Sequence, residues 1–545
     1  MIQAHHQSSE YDAIIVGAGF AGMYMLNSLK KLGLSVKVIE AASDVGGTWF
    51  WNRYPGARCD VPSMEYSYSF SEDLQQEWNW TEVMAAQPEI LEYANHVADR
   101  LELRADIQFN TRVSAAKFLD GDKRWRVDTE AGETYICQFC IMATGCLSVP
   151  NTPQIDGAET FKGDVYHTGE WPHTGVDFEN ISVGIIGTGS SGIQAIPVIA
   201  EQAKHLTVFQ RTPNYTMPAH NRPLTEDFRE DAKDNYADIR QRQRESIAGI
   251  IGYGFGFGGS DTVEPTEAIL ETSAEEREAA LSKEGFSAIP RYIDIGLDMS
   301  ANELACDMYR EQISRTVKNP QTAEGLMPRG YPIGCKRPVI DTHYYDTFNR
   351  DNTTLVDLRQ GGIEKITETG VQTSQGQFDF DALVYATGFD AMTGALLKMD
   401  VRGAGGVKLS DHWQAGPRTY LGLQINGFPN MFTITGPGSP SVLSNMIVSI
   451  EQHVDWISDC IKHMAQNSLQ LIEASAEAEE NWIAHVNEVA NGTMLTAPSC
   501  NSWYLGANIV GKPRIFMPYA GGVGTYREYC DAVVTNNYEG FKLSA

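Results

Sequence analysis

The stretch YDAIIVGAGFAGMYMLNSLKKLGLSVKVIEAA, residues 11–42, decides the fold. It opens on a continuous apolar run, Ala13–Val16, as a parallel strand buried on both faces should. A glycine turn and a segment of helical period follow, then Gly33 as a helix stop and a second strand ending at Glu40. In the loop GAGFAG, Gly17 permits the tight turn, Gly19 lets backbone approach a pyrophosphate, and Gly22 allows close helix packing. The helix amides then face the phosphates. Glu40 stands where a carboxylate accepts hydrogen bonds from ribose hydroxyls. A glycine loop alone is weak; strand, loop, helix, strand and acid in register specify a dinucleotide.

The same grammar recurs over residues 181–212, ISVGIIGTGSSGIQAIPVIAEQAKHLTVFQRT, with Gly187, Gly189 and Gly192 in the loop. Here no acid ends the second strand. Arg211 and Thr212 stand in its place. An acid would repel a 2′-phosphate, whereas a guanidinium clamps it through charge-assisted bonds, so this site should prefer NADPH to NADH. The bland alternative is a solvated loop arginine. After the first unit comes DVGGTWFWNRYPGARCDVPSMEYSYSF, dense in glycine and aromatics. Such a cover suits a flat redox ring, so the first site is assigned to FAD and the second to the nicotinamide coenzyme that reduces it.

The chain of 545 residues is too long for one core, and about two to four domains are expected. A formal charge of −28 argues against a nucleic-acid partner, because phosphate neutralisation needs concentrated cations. No window reaches the roughly 18 to 20 apolar residues of a membrane span; the nearest, IAGIIGYGFGFGG from Ile247, is short and broken by glycines. The N-terminus lacks a basic region and cleavage site, so a signal peptide is not expected. Nine scattered cysteines fit reduced cytoplasmic thiols better than a disulfide framework. One pair, Cys137 and Cys140 in CQFC, matches a redox dithiol, but residues three apart in a strand should face opposite sides and fail to bridge.

The expected fold is α/β: two Rossmann-like dinucleotide-binding domains with a helical insertion in the NADPH domain. The FAD-binding domain takes residues 1–147 and returns over 382–545 with a substrate loop. The NADP-binding domain takes 148–220 and 332–381, around a charged, helix-rich insertion at 221–331. Two ATG strand ends, Ala143–Gly145 and Ala386–Gly388, sit where the chain crosses between domains.

At these residues the sequence resembles the type I Baeyer–Villiger monooxygenases, flavoproteins that insert oxygen beside a ketone. Phe161, Gly163, His167, Trp171 and Pro172 match the family pattern F-x-G-x-x-x-H-x-x-x-W-[PD]. Gly46 to Asp60 match a second pattern, [AG]-G-x-W-x-x-x-x-[FY]-P-[GM]-x-x-x-D, and both glycine loops flank the first in the expected order. Later segments, among them GYPIGCKRPVIDTHYYDTFNRDN and NSWYLGANIVGKPRIFMPY, are similar to the phenylacetone and steroid monooxygenase branch.

The resemblance implies a reduced flavin that captures oxygen as a C4a-peroxide, which attacks the ketone to give a tetrahedral Criegee adduct and then an ester or lactone. It implies Arg337 as the stabilising cation and Asp60 as the carboxylate that positions and tunes it. For FAD it implies Gly17, Gly19, Gly22, Glu40, Thr48, Trp49, Phe50, Trp51, Asp60, Tyr66, Val113 and Met446. For NADPH it implies Arg58, Cys59, Asp60, Gly187, Thr188, Gly189, Ser190, Ser191, Gly192 and Gln194. Arg211, Thr212, Lys336, Arg337 and Trp503 complete that set. Val442, Leu443 and Met446 would present apolar surface to the ketone. His167 invites a catalytic label, but it lies between the two nucleotide units. It is read with Phe161, Gly163, Trp171 and Pro172 as an interdomain linker that gates turnover. A monomer acting on ketone and O2, with no metal, is expected. The alternatives are a heteroatom-oxidising flavin monooxygenase, an NADPH disulfide reductase and a nucleotide-sensing scaffold.

Overall fold

Strand Ser9–Val16 is apolar on both faces because both faces are covered. Ala13 and Ile15 pack under helices Phe20–Lys31 and Met446–Gln466, while Ile14 and Val16 pack with Trp125, Val127 and Phe428. Each such large aliphatic side chain contributes about 1.5–3 kcal/mol when fully buried. The computed structural model describes residues 9–252 and 267–545. The first eight residues, and part of the glycine-broken stretch from Ile247, therefore lie outside the described residues. Among the described residues no helix is long and apolar enough to cross a membrane.

Ser9–Val16 lies inside an eight-stranded sheet, paired in parallel with Val36–Ile39 on one side and Thr134–Met142 on the other. The chain returns late to this sheet through Asp400–Arg402 and Met431–Thr433. A second sheet of five strands is wholly parallel, in the order Thr353–Asp357, His205–Gln210, Ser182–Ile186, Ala382–Tyr385, Asp164–His167. Ala382–Tyr385 stands inside it, so the boundary expected after residue 381 falls too early. The chain leaves this sheet only beyond Tyr385.

The helix-rich stretch expected as one insertion at 221–331 divides between the two cores. Ala232, Tyr236 and Ile239, on helices Glu226–Asp234 and Tyr236–Glu245, join the core of the first sheet. Leu281, Ala305 and Ile313, on Ala274–Glu284 and Met299–Thr316, join the core of the second. Each segment goes where its apolar stripe finds a partner surface.

The Cys137–Cys140 argument fails on geometry. Both thiols are fully buried in one apolar cluster, because side-chain alternation slips on this strand and on its neighbour, where Tyr11 and Ile14 also share that cluster. Both are free cysteines. Hydrogen bonding to Cys137, and then burial, push the Cys140 thiol far above its ordinary range, which makes it a poor nucleophile.

Candidate functional site

The two glycine loops are built alike. Gly17 has φ +106°, and a Cβ there would lie 2.5 Å from the carbonyl oxygen of Ala143. Gly187 has φ +111°, with Ala386 O at 2.3 Å. Each ATG strand end thus floors one loop, which explains why that tripeptide occurs twice. Helices Phe20–Lys31 and Ser190–Gln202 both start on a glycine N-cap, Gly19 and Gly189, with no side-chain cap. Their first amides are therefore left for an anion. A Cβ on Gly189 would meet nothing within 4 Å, so the space before the second helix is open to a pyrophosphate. Ser190 and Ser191 are the first residues of that helix, and Thr188 Oγ1 donates to Thr212 O at 3.3 Å, tying loop to strand end.

Glu40 is buried, and its carboxylate accepts from the amides of Ala18 (2.6 Å) and Ala42 (2.7 Å). Burial raises its pKa, against those two bonds. The aromatic cover is anchored by Trp49 Nε1, which donates to Tyr66 Oη at 3.1 Å, on the short helix Thr48–Trp51. Phe50 packs edge-on against Trp51 and, at 4.5 Å between centroids, against His173 from the linker. Val113 begins a strand of the first sheet and is buried, and Met446 begins helix Met446–Gln466.

The loop Tyr54–Asp60 joins the units. Gly56 has φ +79°, and a Cβ there would lie 2.3 Å from Gln194 O, so helix Ser190–Gln202 touches bare backbone. Tyr54 Oη donates to Gln194 Oε1 at 2.8 Å, and Gln194 Nε2 donates to Arg58 O at 3.1 Å. The Arg58 side chain is engaged elsewhere: it pairs with Glu82 and donates to Met84 O. Cys59 is buried, and burial raises its thiol pKa.

Asp60 meets Arg337 at 2.7 Å, Oδ2 to Nε, and Arg337 Nη1 donates to Val442 O at 3.1 Å. About a third of each side chain remains accessible, 31% for Arg337 and 35% for Asp60, although protein surrounds the arginine. Burial opposes the arginine's charge, and Asp60, joined by Tyr504 and Cys59, more than restores it, so its pKa lies above the ordinary value. Val442, with Leu443, Met446 and Trp503 at its edge, shares an apolar cluster with Cys146, Met392, Tyr504 and Phe516. Sequence reasoning gave Val442, Leu443 and Met446 to the ketone and Trp503 to the coenzyme, and did not single out the last four, whose residue types carry no motif.

Lys336 lies over the Tyr331 ring at 4.6 Å, and its pKa is lowered from 10.5 to about 8, first by burial and then by Arg211. Two cations close enough to repel each other are an arrangement that a bound anion would relieve. The loops, this cation pair and the aromatic cover fit a dinucleotide with an extra phosphate beside a flavin.

His167 is buried, with Nδ1 accepting from Gly169 N at 2.9 Å and Nε2 3.3 Å from Thr387 Oγ1. Burial lowers its pKa, which favours the neutral ring. A Cβ on Gly163 would lie 2.3 Å from Asp381 O, and Trp171 packs with Tyr166 and Phe178 in the second core. Phe161 packs at the edge of a smaller cluster on that sheet, and Pro172 O accepts from Gly175 N.

The expectation that every cysteine is a free thiol is overturned at one pair. Cys335 and Cys500 form a disulfide across a sequence separation of 165. It fastens the loop of Lys336 and Arg337 to the segment that carries Trp503.

Residues 14–250 match the family model described as pyridine nucleotide-disulphide oxidoreductase. A "Baeyer-Villiger monooxygenase" of Pseudooceanicola batsensis is 40% identical over 97% of this chain and 96% of that protein. The solved structure of oxidized steroid monooxygenase bound to NADP aligns at a TM-score of 0.90 and 48% identity, covering 98% of this chain and all of that one. OTEMO in complex with FAD and NADP aligns at 0.91 and 37% identity, over 99% of this chain and 100% of the other.

Proposed function

The chain belongs to the Baeyer–Villiger monooxygenases, and from that premise we propose that Arg337, held by Asp60, is the cation on which its reaction turns. It is an NADPH- and O2-dependent FAD flavoprotein that converts ketones to esters or lactones. Bound FAD, reduced by NADPH, supplies the electrons and the activated oxygen that is inserted beside the carbonyl.

The protein's own part is to bind, orient and exclude water. We assign the first glycine loop, Glu40 and the cover Thr48–Trp51 with Tyr66, Val113 and Met446 to FAD. The second loop, Gln194, Arg211, Thr212 and Lys336 go to NADPH, Arg211 and Lys336 on its 2′-phosphate. Arg58 contributes through its backbone, since its guanidinium is committed to Glu82. Arg337 spends Nε on Asp60 and one Nη1 hydrogen on Val442 O, which leaves N–H donors for negative charge developing on the ketone oxygen. Asp60 keeps that cation charged and fixed, which spares the site a bare buried charge. Val442, Leu443 and Met446 give the ketone an apolar wall, and Trp503 borders the coenzyme.

The single observation that carries this reading is the Arg337–Asp60 pair, a third of each side chain accessible, with Arg337 bonded to Val442 at the apolar cluster of Val442, Leu443 and Met446. The test is incubation with NADPH, oxygen and a panel of linear, cyclic, aryl and steroid ketones, together with sulfide and amine substrates. Ester or lactone product supports it. Sulfoxide or N-oxide alone would overturn it.

A further inference from the structure

Tyr504 is 1% exposed, and its hydroxyl has no hydrogen-bond partner among the described residues. The residue cannot easily turn away to find one. Its amide donates to Ser502 Oγ at 3.2 Å, its carbonyl accepts from Met517 N at 2.9 Å, and its ring lies 4.4 Å from that of Trp503. Arg337 and Asp60 are the charges that bear on the hydroxyl, the Arg337 amide is turned toward its oxygen, and its own hydrogen has no acceptor among the described residues. Buried hydroxyls are ordinarily partnered, and one without a partner beside a reaction site calls for a reason.

Arg337 has the complementary surplus. Of its five N–H donors, one Nε hydrogen goes to Asp60 and one Nη1 hydrogen to Val442 O. Tyr504 shares an apolar cluster with Val442, whose carbonyl already takes one Nη1 hydrogen, so phenol and guanidinium border the same wall and a bond between them would be charge-assisted. Accepting from a cation polarises the phenol and strengthens its O–H as a donor. That O–H stays protonated at working pH, because burial pushes its pKa up to about 12, with Arg337 and Asp60 pulling in opposite directions.

We propose that Tyr504 is a positioning residue for the reaction: in the loaded site its hydroxyl accepts from Arg337, fixes the guanidinium, and donates to the oxygen held there. This rests on the role given to Arg337 above, and the experiment separates the two. Tyr504→Phe keeps the ring and removes the hydroxyl.

In the FAD-loaded enzyme, three quantities are measured besides ester yield: the melting midpoint, the flavin absorption change on titration with NADP⁺, and the hydrogen peroxide formed per NADPH. Removing a hydroxyl without a partner should leave the midpoint unchanged or higher. The kcat should fall about tenfold with the ketone KM within about twofold, tenfold being what one hydrogen bond to a charged group carries. The NADP⁺-induced flavin spectrum should change and the peroxide share should rise.

A wild-type kcat, spectrum and peroxide share would overturn the proposal. So would a midpoint lowered by several degrees together with loss of flavin, which would make the tyrosine a packing residue. Arg337→Lys is run alongside. Wild-type ester formation there defeats the reading of Arg337 itself, whereas loss there with an unaffected Tyr504→Phe defeats only the role of Tyr504.

Discussion

Raising the pH should weaken capture of NADPH and leave NADH unaffected. Lys336 has its pKa lowered from 10.5 to about 8, by burial first and by Arg211 second. In the free enzyme its amine is then about nine-tenths charged at pH 7 and about one-tenth charged at pH 9. A bound 2′-phosphate favours the ammonium, so the pKa climbs back toward 10.5 in the complex. Binding therefore takes up a proton above pH 8, and affinity falls with each further unit until the pKa of the complex is reached. The full span would amount to about 300-fold, but this lysine is partly exposed and screening reduces the effect to about tenfold. The assay is the KM for NADPH and for NADH from pH 7 to pH 9.5, at constant ionic strength and saturating ketone. Lys336→Met should show a high KM for NADPH at every pH. Arg211→Ala should move the rise to higher pH, since it removes a like charge, though not fully, since burial is the larger cause. An equal rise for NADH, or a midpoint that stays put in Arg211→Ala, would refute the reasoning.

Arg337→Ala should retain its flavin and far-UV circular dichroism but lose ester formation by about 10²- to 10³-fold, diverting NADPH to hydrogen peroxide; gas chromatography of the product checks it. His167→Ala should lower kcat with both cofactors still bound, as read by flavin absorption. Because burial already favours the neutral ring, no kcat step near pH 6.5 should disappear in that variant. Cys500→Ser opens a link between residues 165 apart, so it should lower unfolding stability by about 2–4 kcal/mol and raise the KM for NADPH. Dithiothreitol should reproduce both effects in the wild type and neither in the variant, followed by denaturant titration.

What the sequence disclosed and what it hid divide along a physical line. The glycine loops were legible because their constraint is local: Gly17 and Gly187 need positive φ, and both meet a strand-end carbonyl that recurs as ATG. Arg211 was singled out because a charge replaces an acid at a fixed point of a repeated unit, and the structure brings it near enough to Lys336 to lower that amine's pKa. The disulfide was not legible, since its two cysteines lie 165 residues apart and only the tertiary fold brings them together. The Cys137–Cys140 error came from assuming regular alternation on a strand where it slips. The helical stretch was read as one body because composition shows amphipathic stripes, not which core each stripe will find. Tyr504 was passed over for the same reason as most core aromatics, and only an unpartnered oxygen beside Arg337 separates it from them.

The motif around His167 then takes on a mechanical meaning that its residue types do not suggest. Its strand, Asp164–His167, is the edge of the second sheet, paired with Ala382–Tyr385. Its far end, His173, packs against Phe50 in the aromatic cover of the first unit. Between them, His167 Nε2 lies 3.3 Å from Thr387 Oγ1, and that hydroxyl donates to Asn151 O at 2.6 Å. Thr387 belongs to the second ATG strand end, and Asn151 lies just beyond the first. One histidine is thus joined through Thr387 to both chain crossings, the arrangement that the proposed coupling of the two nucleotide scaffolds needs. Under the role proposed for Arg337 and Asp60, no base is needed at His167. A neutral, buried imidazole bonded at both nitrogens makes a tie of fixed length, and a tie is what coupling coenzyme binding to domain placement requires.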